Sequence, residues 1–518
     1  MNTAIFAAAT ALSRLAGLIR EAFAGSFFGT SRTFSAFAIA SQIPNLMANL
    51  FAQAALSAAF VPVFTELLQK GRKQEAFRLA TTLFWIVMLV LGAITAVGIL
   101  LAGLVLPLFS GKGFDGHTTG VLTQILFPVV LLLGLAGVLT GILQSYDQFS
   151  LPALAPVVWN VTIIVLTILL RHHTGGQGVY GYAIAWLIAT FVQFALIASA
   201  LRRIDYRLSF EIDWHDPRIR QVFTLMLPVT IGLGIINLDA LINSGIGTLV
   251  TTHPKPGEAP AAIRYAFLLY MMPQGIFSVA VSTVLFPTLS RQAARRAPAE
   301  MRATLGNGMR QINLLLIPSA AGLVALAMPI TRLVFERGAF TPESLQLTST
   351  ALFWFSFSLP FAGLNALMTR TFFALQRPWI PTKLGFINLI VDVILSVALY
   401  RPLGIAGLVI GTGTANLLMA ALQLRRLQIG FNRRLDLHQT VMITARIIVV
   451  AIPTGVIARI VWALLDGLVG TGLVGQVISV GTAIAAAGGF YIWAISHMRI
   501  PEWRQIERTL IGRLRGGR

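Results

Sequence analysis

The chain has 518 residues, 56% of them hydrophobic and 11% charged, with a mean hydropathy of +0.78. Soluble domains carry roughly 25% charged residues, so a soluble enzyme, a disordered chain and a receptor with one membrane anchor are excluded. The formal charge of +20 sits between long apolar runs rather than on one polar face, which excludes a nucleic-acid binder and fits basic loops between membrane spans.

A spanning helix needs about 20 largely apolar residues. On that rule the sequence predicts an all-α, polytopic membrane protein of fourteen helices. In chain order they fall at 2–28, 34–68, 78–108, 119–145, 152–171, 179–201, 221–251, 262–290, 311–331, 346–375, 381–400, 404–424, 438–465 and 472–497. Several exceed a bilayer's thickness and predict tilt, kinks or extension into water. With both termini cytoplasmic, the cytoplasmic loops and tail hold 27 basic residues and the opposite side 8. That bias supports the even count and the orientation. The first apolar stretch has neither a basic n-region nor an A-x-A site, and reads as a span. Cysteine is absent, so disulfides and thiol chemistry are excluded. No nucleotide-binding, hydrolase or zinc pattern occurs, so the reading is no enzyme, and any energy comes from ions, membrane potential or a substrate gradient.

Three pairs of segments recur at nearly one offset. Phe60-Val61-Pro62 is echoed by Leu285-Phe286-Pro287, at 225 residues. Gly178-Val179-Tyr180-Gly181 is echoed by Gly404-Ile405-Ala406-Gly407, at 226. Asn160 and Asn388 each follow a Gln-then-Pro loop. The expected organisation is an N-lobe of six spans (1–205), a cytoplasmic amphipathic linker (206–220), a second lobe of six spans (221–427), and a final helix pair with a basic tail (428–518). Parallel halves of this kind work by rocking one lobe against the other.

Ionisable residues inside spans cost about 2.5–3.5 kcal/mol each at the membrane centre, so they carry most of the functional information. In the first span Arg14, Arg20 and Glu21 stand out. Arg14 and Glu21 are seven apart, share a face and could pair; with Arg20 snorkelling, that is the bland reading. The functional reading is a cationic lining for an anionic substrate such as a phosphate. In the second lobe Asp239, Asn388, Asp392 and Thr412 form an all-oxygen set, with Asn388 and Asp392 four apart on one face. Glycines 411 and 413 flank Thr412, where a backbone carbonyl is easily exposed. Such a set suits a small hard cation, and a transporter favours Na⁺; a hydrogen-bonded polar core or a proton-carrying carboxylate pair are the alternatives. Arg446 and Arg459, near the ends of their span, read as snorkelling residues.

The sequence resembles the MurJ/MviN lipid II flippases of the multidrug/oligosaccharidyl-lipid/polysaccharide exporter superfamily. The marks are Ser13-Arg14-Leu15-Ala16-Gly17-Leu18-Ile19-Arg20-Glu21, Ile43-Pro44-Asn45-Leu46, Ala59–Glu66, Gly275–Arg291, Phe335-Glu336-Arg337-Gly338-Ala339-Phe340-Thr341 and Arg370–Gln376. The resemblance implies two lobes and a cationic cavity for the diphosphate and sugar of lipid II, with Arg14, Arg20 and Glu21 in it. It also implies a lateral groove near the last two spans for the lipid tail, and a Na⁺ site of Asp239, Asn388, Asp392, Thr412 and the carbonyl of Leu408. It further implies a bacterial inner-membrane location, peptidoglycan biogenesis as the process, and lipid II, membrane lipids and other cell-wall synthesis proteins as partners. The chain departs from the family pattern at Ser35, Ala48, Gln53 and Leu268, where charged residues are usual. Two alternatives therefore stand beside lipid II flipping: a paralogue for another polyprenyl-diphosphate-linked saccharide, and a non-transporting scaffold.

Overall fold

A backbone in hydrocarbon must satisfy its own hydrogen bonds, so long apolar runs fold as helices. The computed structural model describes residues 2–503 except 52–53, 110–112, 147, 149, 171–177, 205–212, 214–215, 251–256, 433, 471, 499 and 501. Gln53, Asp205, Glu211 and the basic tail from Arg504 onward thus lie outside the described residues.

The helices run α1 (Asn2–Phe28), α2 (Arg32–Phe51), α3 (Ala54–Gln69), α4 (Lys73–Val105), α5 (Gly116–Leu126), α6 (Pro128–Ser145), α7 (Ser150–Leu170), α8 (Gly178–Ala200) and α9 (Pro217–Gly247). They continue as α10 (Ala259–Pro273), α11 (Val279–Ala294), α12 (Pro298–Phe335), α13 (Pro342–Ala374), α14 (Trp379–Leu403), α15 (Ile405–Gly430), α16 (Leu437–Val469) and α17 (Leu473–His497). Among the described residues ten helical stretches are long and apolar enough to cross a membrane, and an eleventh if the bent pair Ala259–Ser278 and Val281–Ala294 is one span. The remaining three expected spans are occupied by α1, by α2 with α3, and by α9.

Where the expected spans break, proline accounts for most breaks. Pro128 opens α6 directly after α5, a position where its missing N–H costs nothing. In α12 the backbone leaves helical geometry at Leu326 (φ −111°, ψ 19°), three residues before Pro329, whose ring crowds the preceding turn. A five-residue π-helical turn, Gln274–Ser278, separates α10 from α11.

The chain divides into two compact units: Met1–Ala261 with Arg337–Phe340, and Ala262–Glu336 with Thr341–Arg518. In the first, Phe60 and Phe64 of α3, Leu79 and Leu83 of α4, and Leu139 and Ile142 of α6 are buried in one core. The segment 337–340 counts with this unit because its backbone docks on the end of α1: Ala339 N–H donates to Ser26 O at 2.8 Å. Gly338 and Gly29 both have positive φ there (60° and 56°), and a Cβ on either would collide with the facing carbonyl, of Ser26 and Ala339 respectively. The Glu336-Arg337-Gly338-Ala339 motif is thus a close backbone crossing that only glycine allows.

In the second unit α12 packs on α13 and α16, and α14 on α15. The Tyr491 hydroxyl of α17 donates to Leu314 O of α12 at 2.7 Å. Arg310 pairs with the buried Glu502 just after α17. Large apolar side chains on the outer faces, such as Leu108 at 80% and Leu468 at 81% exposure, fit contact with lipid tails.

Candidate functional site

Two polar clusters lie among the spans, one in each unit. In the first, the α1 residue Arg20 is buried. Its Nη2 donates to Glu21 Oε1 at 2.6 Å and its Nη1 to Asn160 Oδ1 of α7 at 2.9 Å. The guanidinium carbon lies 4.8 Å from the Trp159 ring centroid and 4.9 Å from that of Trp186. The two indoles stand at 90° to each other. Trp159 Nε1 donates to Thr190 Oγ1 at 3.0 Å, and Asn160 Nδ2 to Pro156 O at 2.8 Å, so the cage walls are themselves fixed. Each cation–π contact is worth about 0.5–2 kcal/mol, most when desolvated, and the hydrogen-bonded pair with Glu21 cancels the charge.

The pairing of Arg14 with Glu21 that the bland reading offered is not what forms, and Arg20 is buried rather than snorkelling. Seven residues are two turns, roughly 10.5 Å along a helix axis, whereas Arg20 reaches Glu21 directly and is held by three α7 and α8 side chains. Arg14 is exposed, and among the described residues it has no ion pair or hydrogen bond. Of the two arginines, one is caged and one is open.

The second cluster joins α14 to α15. Asn388, Asp392 and Ser396 are spaced by four and share a face of α14. Asp392 is fully buried. Ser396 Oγ lies 3.1 Å from Asp392 Oδ1 and 3.5 Å from Leu408 O. Thr412 Oγ1 lies 3.3 Å from Asp392 Oδ2 and 3.3 Å from Leu408 O. A hydroxyl has one proton, so each of these two can serve only one of its two acceptors at a time. The other oxygen–oxygen contacts are then left without a proton between them. Asn388 Oδ1 is buried with no hydrogen-bond partner among the described residues. A carboxylate, two hydroxyls, a carbonyl and an amide oxygen therefore fit a small hard cation.

The close approach that makes this cluster is written in glycines. A Cβ on Gly411 would lie 2.7 Å from Ser396 Oγ and 3.0 Å from its backbone nitrogen, and one on Gly407 would collide with the carbonyl of Leu399. Small residues spaced by four are the usual means of bringing two membrane helices together.

Asp392, Leu408 and Thr412 thus lie in one cluster of the second unit, with Asn388 one turn away on the same face of α14, while Asp239 is a half-buried residue of α9, in the first. Sequence reasoning missed Ser396, whose signal was its spacing of four from Asp392, and the tryptophans Trp159 and Trp186, which read as ordinary apolar positions. Of the departures, Ser35 is buried and its Oγ accepts from Ala261 N–H at 3.3 Å. Leu268 is half-buried, next to Phe267, which stacks on Tyr270. Ala48 lies on α2.

This architecture is that of an all-helical, multi-pass transporter. A solved lipid II flippase MurJ in an inward closed conformation superposes with a TM-score of 0.75 at 23% identity, covering 95% of this chain and 99% of that one. A multidrug resistance MATE family transporter of the MOP superfamily, in an inward-facing conformation, gives 0.69 at 15% identity, covering 81% and 95%. The family model described as "Lipid II flippase MurJ" matches residues 24–481. The probable lipid II flippase MurJ of Rhizobium meliloti is 32% identical over 409 residues, 77% of this chain and 75% of that protein. The chain therefore belongs to the lipid II flippase MurJ family, and it is a multi-pass protein of the inner membrane.

Proposed function

We propose that this chain moves lipid II, the polyprenyl-diphosphate-linked peptidoglycan precursor, from the inner to the outer leaflet by alternating access, with both termini cytoplasmic. The observation that carries the substrate reading is Arg14, an exposed guanidinium without a partner among the described residues, on a helix whose other two charges pair with each other. Leaving a charge there costs about 2.5–3.5 kcal/mol on insertion scales, and a diphosphate, which a guanidinium meets with paired hydrogen bonds, offsets it. Glu21 and Arg20 complete the charged face of α1, but their charges are already spent on each other. The lipid tail follows the apolar surface of α16 and α17, and other cell-wall synthesis proteins consume the product.

Asn388, Asp392, Thr412 and the carbonyl of Leu408 would hold Na⁺, with Asp239 as the further family position. When bound, the ion supplies the positive charge that Asp392 otherwise lacks. The chain's own part is to hold the oxygens of Asp392, Ser396, Leu408 and Thr412 together across α14 and α15, with Ser396 as a further ligand, an arrangement a scaffold without transport would have no use for.

The experiment is complementation of a strain depleted of its own lipid II flippase. The expected result is growth with the wild-type chain, and failure of Arg14→Ala at equal membrane abundance. Growth of Arg14→Ala would remove Arg14 from substrate binding. Failure of the well-expressed wild type would favour a different polyprenyl-diphosphate saccharide, the reading suited by Ala48 and Leu268 standing where the family has charges.

A further inference from the structure

The spans α13 and α15 face each other with polar side chains, which hydrocarbon disfavours. At 3.6 residues per turn, Ser358, Asn365 and Thr369 fall within an arc of about 40° on α13, and Thr412, Asn416 and Gln423 within about 40° on α15. The two stripes meet along their length. A Cβ on Gly413 would lie 3.5 Å from Ser358 Cβ, Asn365 Nδ2 donates to Asn416 O at 3.0 Å, and Gln423 Nε2 donates to Thr369 Oγ1 at 3.1 Å. Asn365 and Gln423 are both buried. Polar pairs between membrane helices commonly serve as glue, but glue uses both ends of an amide. Here the nitrogens are committed and the oxygens are not: Asn365 Oδ1 and Gln423 Oε1 are buried with no hydrogen-bond partner among the described residues, and so is Asn388 Oδ1, one turn from Asp392. The Asn416 carbonyl can only accept, so the Asn365 nitrogen must face it and the oxygen must point away.

We propose that the α13–α15 seam is a hydrated passage for small monovalent cations between the Asp392 cluster and the cytoplasmic end of these spans, lined by Asn365, Thr369 and Gln423. An unpaired buried acceptor is costly, and it suits a cation or a water that brings the missing positive end. The α15 stripe starts at Thr412, which touches Asp392, and ends within a turn of the exposed Arg425 and Arg426. From Thr412 to Gln423 is about 16 Å, roughly half of the hydrocarbon core. Neutral amide and hydroxyl oxygens pass an ion on where a row of carboxylates would hold it. The two arginines stand in water at the mouth, where salt screens their charge.

The inference rests on reading the Asp392 cluster as a cation site, but its test is separate. The chain has no cysteine, so Ag⁺, a monovalent cation that binds a thiolate as its proton leaves, can probe the seam one position at a time. Met419 is half-buried between Asn416 and Gln423 on the stripe, whereas Leu417, 45% exposed, faces away from it. In inside-out vesicles in nitrate buffer, Ag⁺ should block Met419→Cys against later maleimide labelling of the denatured chain. It should leave Leu417→Cys unblocked. Adding Gln423→Leu to Met419→Cys should slow the block about tenfold, as losing one bond to a charged group does. Thr369→Val keeps its side chain's shape, should slow the block in the same direction, and serves where Gln423→Leu does not fold. Asp392→Asn should abolish any response to Na⁺ and leave the block of Met419→Cys intact, so the passage and the ion site can fail separately. An unreactive Met419→Cys, a rate that Gln423→Leu and Thr369→Val leave unchanged, or equal block of Leu417→Cys would each overturn the proposal.

Discussion

Ser396 is the side chain on which the ion reading can be tested most sharply. Its Oγ approaches both Asp392 Oδ1 and Leu408 O, so it either donates its one proton to one of them or, with an ion present, turns its lone pairs inward. Removing the hydroxyl takes away one ligand while leaving the carboxylate. Ser396→Ala should weaken Na⁺-dependent thermal stabilisation by about tenfold in concentration, the equivalent of one hydrogen bond to a charged group at roughly 1.5 kcal/mol. Asp392→Asn should abolish it. Melting curves in NaCl against choline chloride read both, and a wild type indifferent to Na⁺ would sink the site. At this scale the sequence was informative where a polar residue stood in an apolar run: Asp392, Asn388, Arg14 and Arg20 are all visible that way. It was silent on which arginine is caged, because Trp159 and Trp186 enter the cage from α7 and α8, far along the chain, and tryptophan is unremarkable in a membrane span. One of its two readings paired Glu21 with Arg14, since helical periodicity ranks faces and says nothing of distance along the axis.

Helices here are placed by glycine and by a few terminal ion pairs more than by apolar pattern, which in lipid gives no preference for one neighbour over another. Gly407 is the test on the α14–α15 pair. A side chain there must displace the Leu399 carbonyl, and overpacking of this kind costs about 1–3 kcal/mol. Gly407→Val should therefore lower the melting temperature and the Na⁺ response together, while Gly413→Ala, whose Cβ would meet Ser358 Cβ at an ordinary 3.5 Å, should do neither. A second device sits at the start of α9. Asp216 caps that helix through Arg218 N–H at 2.9 Å, and the Arg218 guanidinium reaches Glu75 at 2.9 Å in the polar first turn of α4, ahead of its apolar stretch. Arg218, then Arg72, hold the Glu75 carboxyl below its ordinary value of 4.5. A carboxyl whose value is lowered by folding stabilises the fold fully above the ordinary value, and the contribution disappears as pH falls through the lowered one. Arg218→Gln should accordingly flatten the loss of thermal stability below pH 4.5, and added salt should mimic the variant because the pair is partly exposed. An acid profile unchanged by Arg218→Gln would show that the bond contributes nothing. The helices and the proline-marked breaks could be read from the sequence, because both follow from local chemistry. The α1 contact with segment 337–340 could not, since a backbone crossing leaves only two glycines as its trace.

For the molecule as a whole, charge and composition are the basis of the proposed orientation in the membrane. With 27 basic residues assigned to the cytoplasmic side against 8 opposite, that orientation would be encoded without reference to the substrate, since loop lysines and arginines are read during insertion. That leaves very little positive charge for lipid II, and it makes orientation and transport separable properties. The absence of cysteine turns this into a direct experiment, because every introduced thiol is the only one. Gln74, exposed in the first turn of α4, should face the cytoplasm; Gly472, exposed at the start of α17 with open space around it, should face outward. In intact cells whose outer membrane has been made permeable, a membrane-impermeant maleimide should label Gly472→Cys and spare Gln74→Cys until the inner membrane is opened. The reverse pattern would invert every loop and with it the direction of flipping. Labelling of both in intact cells would mean that the spans between α4 and α17 are odd-numbered in their effect, and would break the count of fourteen on which the two-lobe reading depends.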